Sequence, residues 1–459
     1  MWQARDSIVI CFDSASGPAS MVGVGKMGEI HMAPLVRKLM AVAVGAALGG
    51  LVSSAVAGGF AIGTQSGSGT GNAFTGGAAA ADDASVAWYN PALMTLLPGK
   101  QIAGALHVVN PSFKFSNQGS TGAFAAPGTG DGGDGGDLTF IPNGFFTWAF
   151  SPRLSFGLAL NAPFGLSTDY DAGWRGQLLA LKSEVKTANV SPSIAYKVSD
   201  MVSIGGGVNV QKIEAELTSF TGAAPTGNQK LEADDIGYGF NVGIMLQATP
   251  STRFGAHYRS KIKYELEGDQ TFSGPAAPAA NASVKADLDV PDSFSLSVFH
   301  VLNPKWELMA DVTWTGWSSL ERLTAIRTSA SVLGGVGSTA ASLRFNWDDT
   351  WRYGIGANYK WNSQFKLRFG AAFDETPTND QFRTPRLPDE DRKWVAFGVQ
   401  WKPSKASILD VGYAHEFIKD AKISTAEGAP PAVTCPPSCL IGEFKSKVDI
   451  LSVQYSVSF

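Results

Sequence analysis

Apolar and polar side chains alternate one for one in stretch after stretch of this chain, from about residue 99 to its end. A period of two places alternate residues on opposite faces of a β-strand, so each such stretch predicts a strand between two different environments. The clearest is the last. Leu451, Val453, Tyr455, Val457 and Phe459 alternate with Ser452, Gln454, Ser456 and Ser458. Phe365 to Phe373 repeats it, with Phe365, Leu367, Phe369, Ala371 and Phe373 against Lys366, Arg368, Gly370 and Ala372. In Arg253 to Leu266, the residues Phe254, Ala256, Tyr258, Ile262 and Tyr264 oppose Arg253, His257, Arg259, Lys261 and Lys263.

The connections between these stretches fall into two kinds. Short polar turns occur at Ser151-Pro-Arg, Ser199-Asp-Met, Pro250-Ser-Thr, Asn303-Pro-Lys, Asn362-Ser-Gln and Pro403-Ser-Lys. Between them lie longer segments near 116–137, 167–184, 218–235, 268–285, 317–344, 375–390 and 419–446. Short turns at one end and long loops at the other are the mark of an outer-membrane barrel. Alternating the two kinds gives about fourteen antiparallel strands, an even number as such barrels require. The fold class is therefore all-β, a transmembrane antiparallel β-barrel. A soluble β-sandwich or propeller is the rival, but no constant blade-length repeat appears. Lipid on the outside also demands closure, because an open edge there leaves backbone groups unsatisfied.

Composition supports a single large architecture. Only 17% of the 459 residues are charged, against about 25% in ordinary soluble domains. The 52 glycines, 27 phenylalanines and 12 tryptophans fit aromatic-bearing strands joined by turns. A formal charge of -4 offers no general basic surface, so nucleic acid is not expected as a partner. One long apolar run, Leu39 to Ala57, follows Arg37 and Lys38 and ends in Ala55-Val56-Ala57. It is read as a secretory signal, with Met32 as start and cleavage after Ala57, so that 1–57 is a leader. An amino-terminal membrane anchor is the alternative. Cys435 and Cys439, in CPPSC, then reach an oxidising compartment together and are read as a local loop disulfide. No metal or other cofactor is called for.

Residues 58–98 differ from everything after them. Glycine, alanine, serine and threonine dominate, interrupted by Phe60, Phe74, Trp88 and Tyr89. Such a run carries too little apolar surface to offset the cost of ordering its own backbone. Surrounded by other elements it makes sense, as a plug packed inside the barrel of 99–459.

The plug is also where the chain resembles a known family. Gly59-Phe60, Ser68-Gly69-x-Gly71-x-Ala73, Ala81-Asp82-Asp83-Ala84, Asn90-Pro91-Ala92 and, further on, Pro163-Phe164-Gly165-Leu166 with Thr168 resemble the FadL-type outer-membrane long-chain fatty acid transport family. That resemblance implies a fourteen-stranded barrel blocked by an amino-terminal hatch. It implies capture of a hydrophobic ligand in an outer groove, transfer to an inner pocket, and release sideways through a gap beside a kinked third strand. Phe60 matches the family's pocket-lining aromatic. Asn90, Pro91 and Ala92 match the hatch motif facing the kink, and Gly165 matches the glycine of the kinked strand.

Other candidate residues come from strand parity and composition. A ligand that is apolar with one anionic end needs an apolar lining and a positive charge away from water. Arg259, Lys261, Arg352 and Arg368 are placed facing the lumen and are the head-group candidates, with pairing to lumen carboxylates such as Glu307 and Asp311 as the competing role. Trp174, Leu178, Leu179 and Leu181 form an apolar patch in a polar loop and are assigned to the outer groove. Gly130 to Asp137 spaces three aspartates among glycines, a solvated loop or a calcium site. His107, His257, His300 and His415 lie in separate predicted strands with no nucleophile motif, so no catalytic residues are expected.

The resulting expectation is a monomer in the outer membrane of a Gram-negative bacterium, surrounded by its lipid. It would admit long-chain fatty acids or similar hydrophobic molecules by ligand-gated passive diffusion with lateral exit. An aromatic-hydrocarbon channel of the same fold is the nearest alternative. A barrel hydrolase and a passive structural barrel are more distant ones.

Overall fold

In a computed structural model the described residues are 58–126, 129–221, 227–275, 277–425 and 438–459. The leader 1–57 and Cys435 lie outside them. Cys439 is disulfide-bonded.

Fourteen staves form one closed antiparallel sheet. They are β1 (Lys100–Asn117), β2 (Thr139–Ala149), β3 (Leu154–Asn161, resuming as Gly165–Asp169), β4 (Lys182–Lys197), β5 (Val202–Phe220), β6 (Asn228–Thr249) and β7 (Thr252–Arg259 and Ile262–Phe272). Next come β8 (Ala282–Val290 and Ser293–Val301), β9 (Trp306–Thr315 and Arg322–Arg327), β10 (Thr339–Arg344 and Thr350–Lys360) and β11 (Phe365–Asp374). The last are β12 (Arg392–Trp401), β13 (Ser407–Ile418 and Ala421–Thr425) and β14 (Leu440–Ser458). The first and last staves close the cylinder, from Gln101 opposite Ser458 to Asn117 opposite Gly442.

The six short turns of the sequence all fall between staves at one end. The loops are shorter than expected. Phe220, Asn228, Arg322–Arg327, Thr339–Arg344 and Ala421–Thr425 are strand, although their polar character marked them as loop. A stave that rises above the bilayer stays paired to its neighbours but no longer needs an apolar outer face.

Alternation along the last stave is as read: Leu451 and Val453 are exposed toward lipid, while Ser452, Gln454 and Ser456 are buried inside. On β7 the parity changes. Phe254 is exposed, yet Ile262, Tyr264 and Leu266 are buried. Ser260 and Lys261 interrupt the stave, and the pairing with β6 slips by one residue, from Asn241↔Arg259 to Asp234↔Glu267. One extra residue turns every later side chain to the other face. Ile262 and Tyr264 therefore face inward, and Lys261 outward to Asp289 at 3.7 Å, both contrary to the reading from simple alternation.

Residues 58–97 lie within the cylinder, tied to inward-facing wall groups all round it. Gly67 N donates to Gln454 Oε1 at 2.9 Å, Thr70 Oγ1 to Ser452 Oγ at 2.8 Å, Gly76 N to Asp311 Oδ2 at 2.8 Å and Ala78 N to Ser297 Oγ at 3.2 Å. Wall glycines give the room. A Cβ on Gly255 would stand 1.7 Å from Ala78 O, and one on Gly370 2.1 Å from Asn72 C. Only bare backbone permits contact that close.

Candidate functional site

The wall is incomplete between β2 and β3, and the start of the inner segment fills that break. β2 and β3 pair from Ala149↔Ser155 up to Gly144↔Leu160 and no further. Above that point Thr139 to Asn143 pair with β1 alone, and Gly165–Asp169 pair with β4. Between them the chain runs Ala162-Pro163-Phe164. Proline has no N–H to give a ladder and breaks it.

Residues 60–62 take the vacated edge. Ile62 N donates to Pro163 O and Gly165 N donates to Phe60 O, each at 2.8 Å, and Ala61 bridges Phe164 in antiparallel fashion. Behind them Asn143 Nδ2 donates to Thr64 O at 3.0 Å and Gln65 O at 2.9 Å. Gly165 thus sits at the resumption of β3, in direct contact with the leading segment.

Phe60 is buried among Trp317, Phe164 and Trp347, with ring centroids 4.9, 5.7 and 5.9 Å away. Gly59 has φ +66°, and an added Cβ would lie 2.7 Å from the Trp317 ring, so glycine is required there for conformation and for space. The extreme start is held by acids: Gly59 N donates to Asp389 Oδ2 at 2.8 Å and Gly58 N to Asp374 Oδ2 at 3.3 Å.

Asn90 is fully buried. Its side chain donates to Ala78 O at 2.8 Å and to Ile244 O on β6 at 3.0 Å, and accepts from Ala92 N at 3.0 Å. It caps a 3₁₀ turn, Pro91–Leu96, with proline at the start. Pro91 and Ala92 lie against Gly205 of β5. The motif therefore secures the inner segment to β5 and β6 and does not touch the break in β3.

A cavity of about 210 Å³ lies between inner segment and wall, lined in part by Ile62, Phe74, Trp88, Phe164, Trp317 and Trp394. Two arginines reach it. Arg259 is buried, donates to Trp88 O at 2.9 Å and Asn209 Oδ1 at 2.8 Å, and lies 3.3 Å from the centre of the Trp88 ring. Among the described residues no carboxylate lies within 4.0 Å of it, so its charge is unneutralised. Arg352 donates to Ala73 O and stands 3.6 Å from Asp311. His257 also lines the cavity, and its buried Nε2 has no hydrogen-bond partner among the described residues.

The other candidates are placed elsewhere. Arg368 is sealed between Asp82 of the inner segment, at 2.6 Å, and Asp410, at 3.0 Å, away from the 210 Å³ cavity. Trp174 and Leu179 are buried in an apolar cluster with Phe115, Tyr170 and Phe444, and Trp174 stacks on Tyr170 at 4.4 Å. Leu181 packs on the edge of that cluster. Leu178 alone of the four reaches an outer cavity of about 320 Å³, beside Leu217, Leu231, Leu266, Leu323 and Leu343 with Lys285 and Arg386 at its margin. Asp134, in the glycine-rich loop, accepts from Ser112 Oγ and Phe113 N at 2.7 and 2.8 Å.

Trp317, Trp394, Asp374 and Asp389 were not found from the sequence. On β12 both faces are apolar, Trp394 and Ala396 inside against Val395 and Phe397 outside, so alternation there does not identify an inner face. The two aspartates act on backbone N–H groups more than three hundred residues away, a contact with no local signature.

Known proteins resemble this chain in sequence and in fold. Residues 50–459 match the family model described as outer membrane protein transport protein (OMPP1/FadL/TodX). The chain is 29% identical over 437 residues to outer membrane protein P1 of Haemophilus influenzae, covering 85% of this chain and 91% of that protein. It is 24% identical over 410 residues to the long-chain fatty acid transport protein of Escherichia coli K12, with 80% and 89% covered. A solved Pseudomonas aeruginosa FadL homologue superposes with TM-score 0.77 at 26% identity, covering 88% of this chain and all of that one. The Pseudomonas putida toluene transporter TodX shares the fold, with TM-score 0.67 at 18% identity and coverage of 88% and 100%. A closed barrel holding its own amino-terminal segment against a break in the third stave, matched over nearly its whole length by one family, makes this chain an outer-membrane protein of the OMPP1/FadL/TodX transport family.

Proposed function

We propose that the chain admits long-chain fatty acids, or hydrophobic molecules like them, across the outer membrane by ligand-gated passive diffusion. In this reading 58–98 is the hatch and 99–459 the wall. A ligand enters the outer cavity near Leu178 and passes the aromatic group of Phe60, Trp317 and Trp347. It settles with its acyl part against Phe74, Phe164 and Trp394 and its carboxylate toward Arg259 and Arg352. Displacing residues 60–62 from Pro163 and Gly165 frees the gap between β2 and β3, and the ligand leaves toward lipid without crossing water. The observation that carries this reading is the pairing of 60–62 with the break in β3, because it makes the hatch the closure of the gap.

The uncompensated Arg259 favours an anionic ligand. A buried cation without a partner is costly, and a carboxylate arriving beside it in an apolar site makes a strong charge-assisted contact. The size of the cavity favours the second reading, a monoaromatic-hydrocarbon channel such as its structural neighbour TodX. A space of about 210 Å³ holds one aromatic ring as it stands but only part of an acyl chain; a dry cavity of about 150 Å³ is known to take benzene. Uptake of labelled oleate and toluene by cells carrying wild type or Arg259→Gln/Arg352→Gln separates the two. Loss of oleate uptake with toluene spared supports the acid. Equal uptake of both by variant and wild type contradicts it. The Escherichia coli relative and TodX are named as transport proteins, and a transporter is what we infer here too, acting as a monomer without a cofactor.

A further inference from the structure

The outside of the barrel carries a feature that transport does not use. On β12, β13, β14 and β1 the lipid-facing side is apolar over the part near the short turns. Leu106 and Val108 on β1, Leu451 and Val453 on β14, Val411 and Tyr413 on β13, and Val395 and Phe397 on β12 all point outward. Toward the long loops that face becomes basic. Lys114 lies on β1, Lys445 and Lys447 on β14, Lys393 on β12, Lys422 on β13 and Lys419 between the two segments of β13, all exposed.

Register brings some of these charges together. Lys114 stands directly opposite Lys445, and Ser112 opposite Lys447. Side chains opposite one another across strands are about 5 Å apart, and those two residues apart on one strand about 7 Å. Like charges so placed destabilise a sheet unless an anion lies between them. The protein supplies little of that anion. Among the described residues Lys393, Lys445 and Lys447 make no ion pair, Lys422 makes none but stands opposite Glu443, Lys114 makes only an exposed contact with Asp134 at 3.7 Å, and Lys419 is paired with Glu390 at 2.5 Å. Two outward carboxylates lie nearby on β14: Asp449 accepts from Tyr413 Oη at 2.6 Å and contacts His415 Nδ1 at 2.7 Å, and Glu443 accepts from Gln118 Nε2 at 2.7 Å.

The opposite side of the barrel is different. There Lys182, Lys186, Lys212 and Lys230 each meet a carboxylate, Glu184, Glu216, Glu214, Asp234 or Glu232. Among the described residues exposed Lys263 and Lys285 also make no ion pair but stand opposite Asp289 and Glu267. Basic charge with neither an ion pair nor an opposite carboxylate gathers at Lys393, Lys445 and Lys447, at the border of the apolar band and at its outer end.

We propose that this face binds the phosphates of a multiply phosphorylated glycolipid in the outer leaflet. A headgroup at the border of the apolar band meets the lysines while its acyl chains lie on Leu451, Val453 and Val395. The width of the patch favours more than one phosphate, since four staves at about 4.8 Å spacing extend roughly 15 Å.

The test uses purified full-length barrel in a zwitterionic detergent, with bisphosphorylated lipid A as probe and monophosphorylated lipid A and phosphatidylglycerol as comparators, read by native mass spectrometry. We expect wild type to hold bisphosphorylated lipid A at least tenfold more tightly than either comparator. Lys393→Gln/Lys445→Gln/Lys447→Gln should lose that advantage, while Lys212→Gln/Lys230→Gln on the other side keeps it. Equal binding by the triple variant and wild type, or no preference for the second phosphate, overturns the proposal. Unchanged heat-modifiable migration and oleate uptake in the triple variant check that the barrel itself is intact.

Discussion

Replacing Phe60 with alanine should loosen the hatch without unfolding the barrel. Phe60 is 7% exposed and packs on three aromatic rings at 4.9 to 5.9 Å. Truncating a buried phenylalanine costs about 3–5 kcal/mol in a packed core. The site adjoins a cavity and relaxes more easily than a sealed core, so the low end, about 3 kcal/mol, is the working figure. At about 1.4 kcal/mol per factor of ten, the population with residues 58–62 detached rises on the order of a hundredfold. Native-state amide exchange reads this directly, because exchange of a protected N–H follows its local open population. The amides of Ile62 and Gly165, bonded to Pro163 O and Phe60 O, should exchange about a hundred times faster. Amides between β1 and β14 should not change. If Ile62 and Gly165 stay as slow as in wild type, Phe60 does not hold the hatch shut. If the entire barrel accelerates equally, the effect is global and the reasoning is wrong.

Three further outcomes follow from the geometry. Gly255→Ala places a methyl 1.7 Å from Ala78 O, so it should prevent the hatch from seating. Limited proteolysis within 58–97 should then succeed on folded barrels, and a protected hatch contradicts the expectation. Arg368→Gln leaves Asp410 buried without its cation, an arrangement that costs about 3–5 kcal/mol, while half-buried Asp82 keeps Lys366 at 3.1 Å; a clear drop in the thermal midpoint is expected, and an unchanged midpoint would show the pair to be inessential. Gly165→Leu should slow oleate uptake more than it weakens oleate binding at the cell surface, and equal loss of both argues against exit at β3.

Much of this architecture was legible in the chain. Alternation from Leu451 to Phe459 and the six short turns predict the barrel because lipid and lumen impose opposite demands on successive residues. The small-residue run 58–98 reads as an inner element because it is unable to build a core of its own. The reading weakened wherever those demands relax. Above the bilayer the wall needs no apolar face, so Arg322–Arg327 and Thr339–Arg344 looked like loop. One inserted residue at Ser260–Lys261 reversed parity along the rest of β7, which no periodicity rule anticipates. Arg368 matched a head-group role in every local respect, yet Asp82 and Asp410 claim it. Arg259, on the same parity argument, was left with its charge unmet. Partners distant in sequence decide which arginine is free, and the alternation pattern is blind to them.

The central claim, that residues 60–62 form the movable closure of the gap beside β3, is tested most directly by locking them in place. Ala61 and Phe164 face each other as a non-hydrogen-bonded antiparallel pair, the pair type with the closer side chains and suited to a cystine. Oleate uptake is measured in cells carrying Ala61→Cys/Phe164→Cys, oxidised and after reduction. The account predicts uptake abolished in the oxidised form and restored by reductant, with surface binding of oleate unchanged throughout. Wild-type uptake by the fully oxidised variant would show that the ligand leaves by another path.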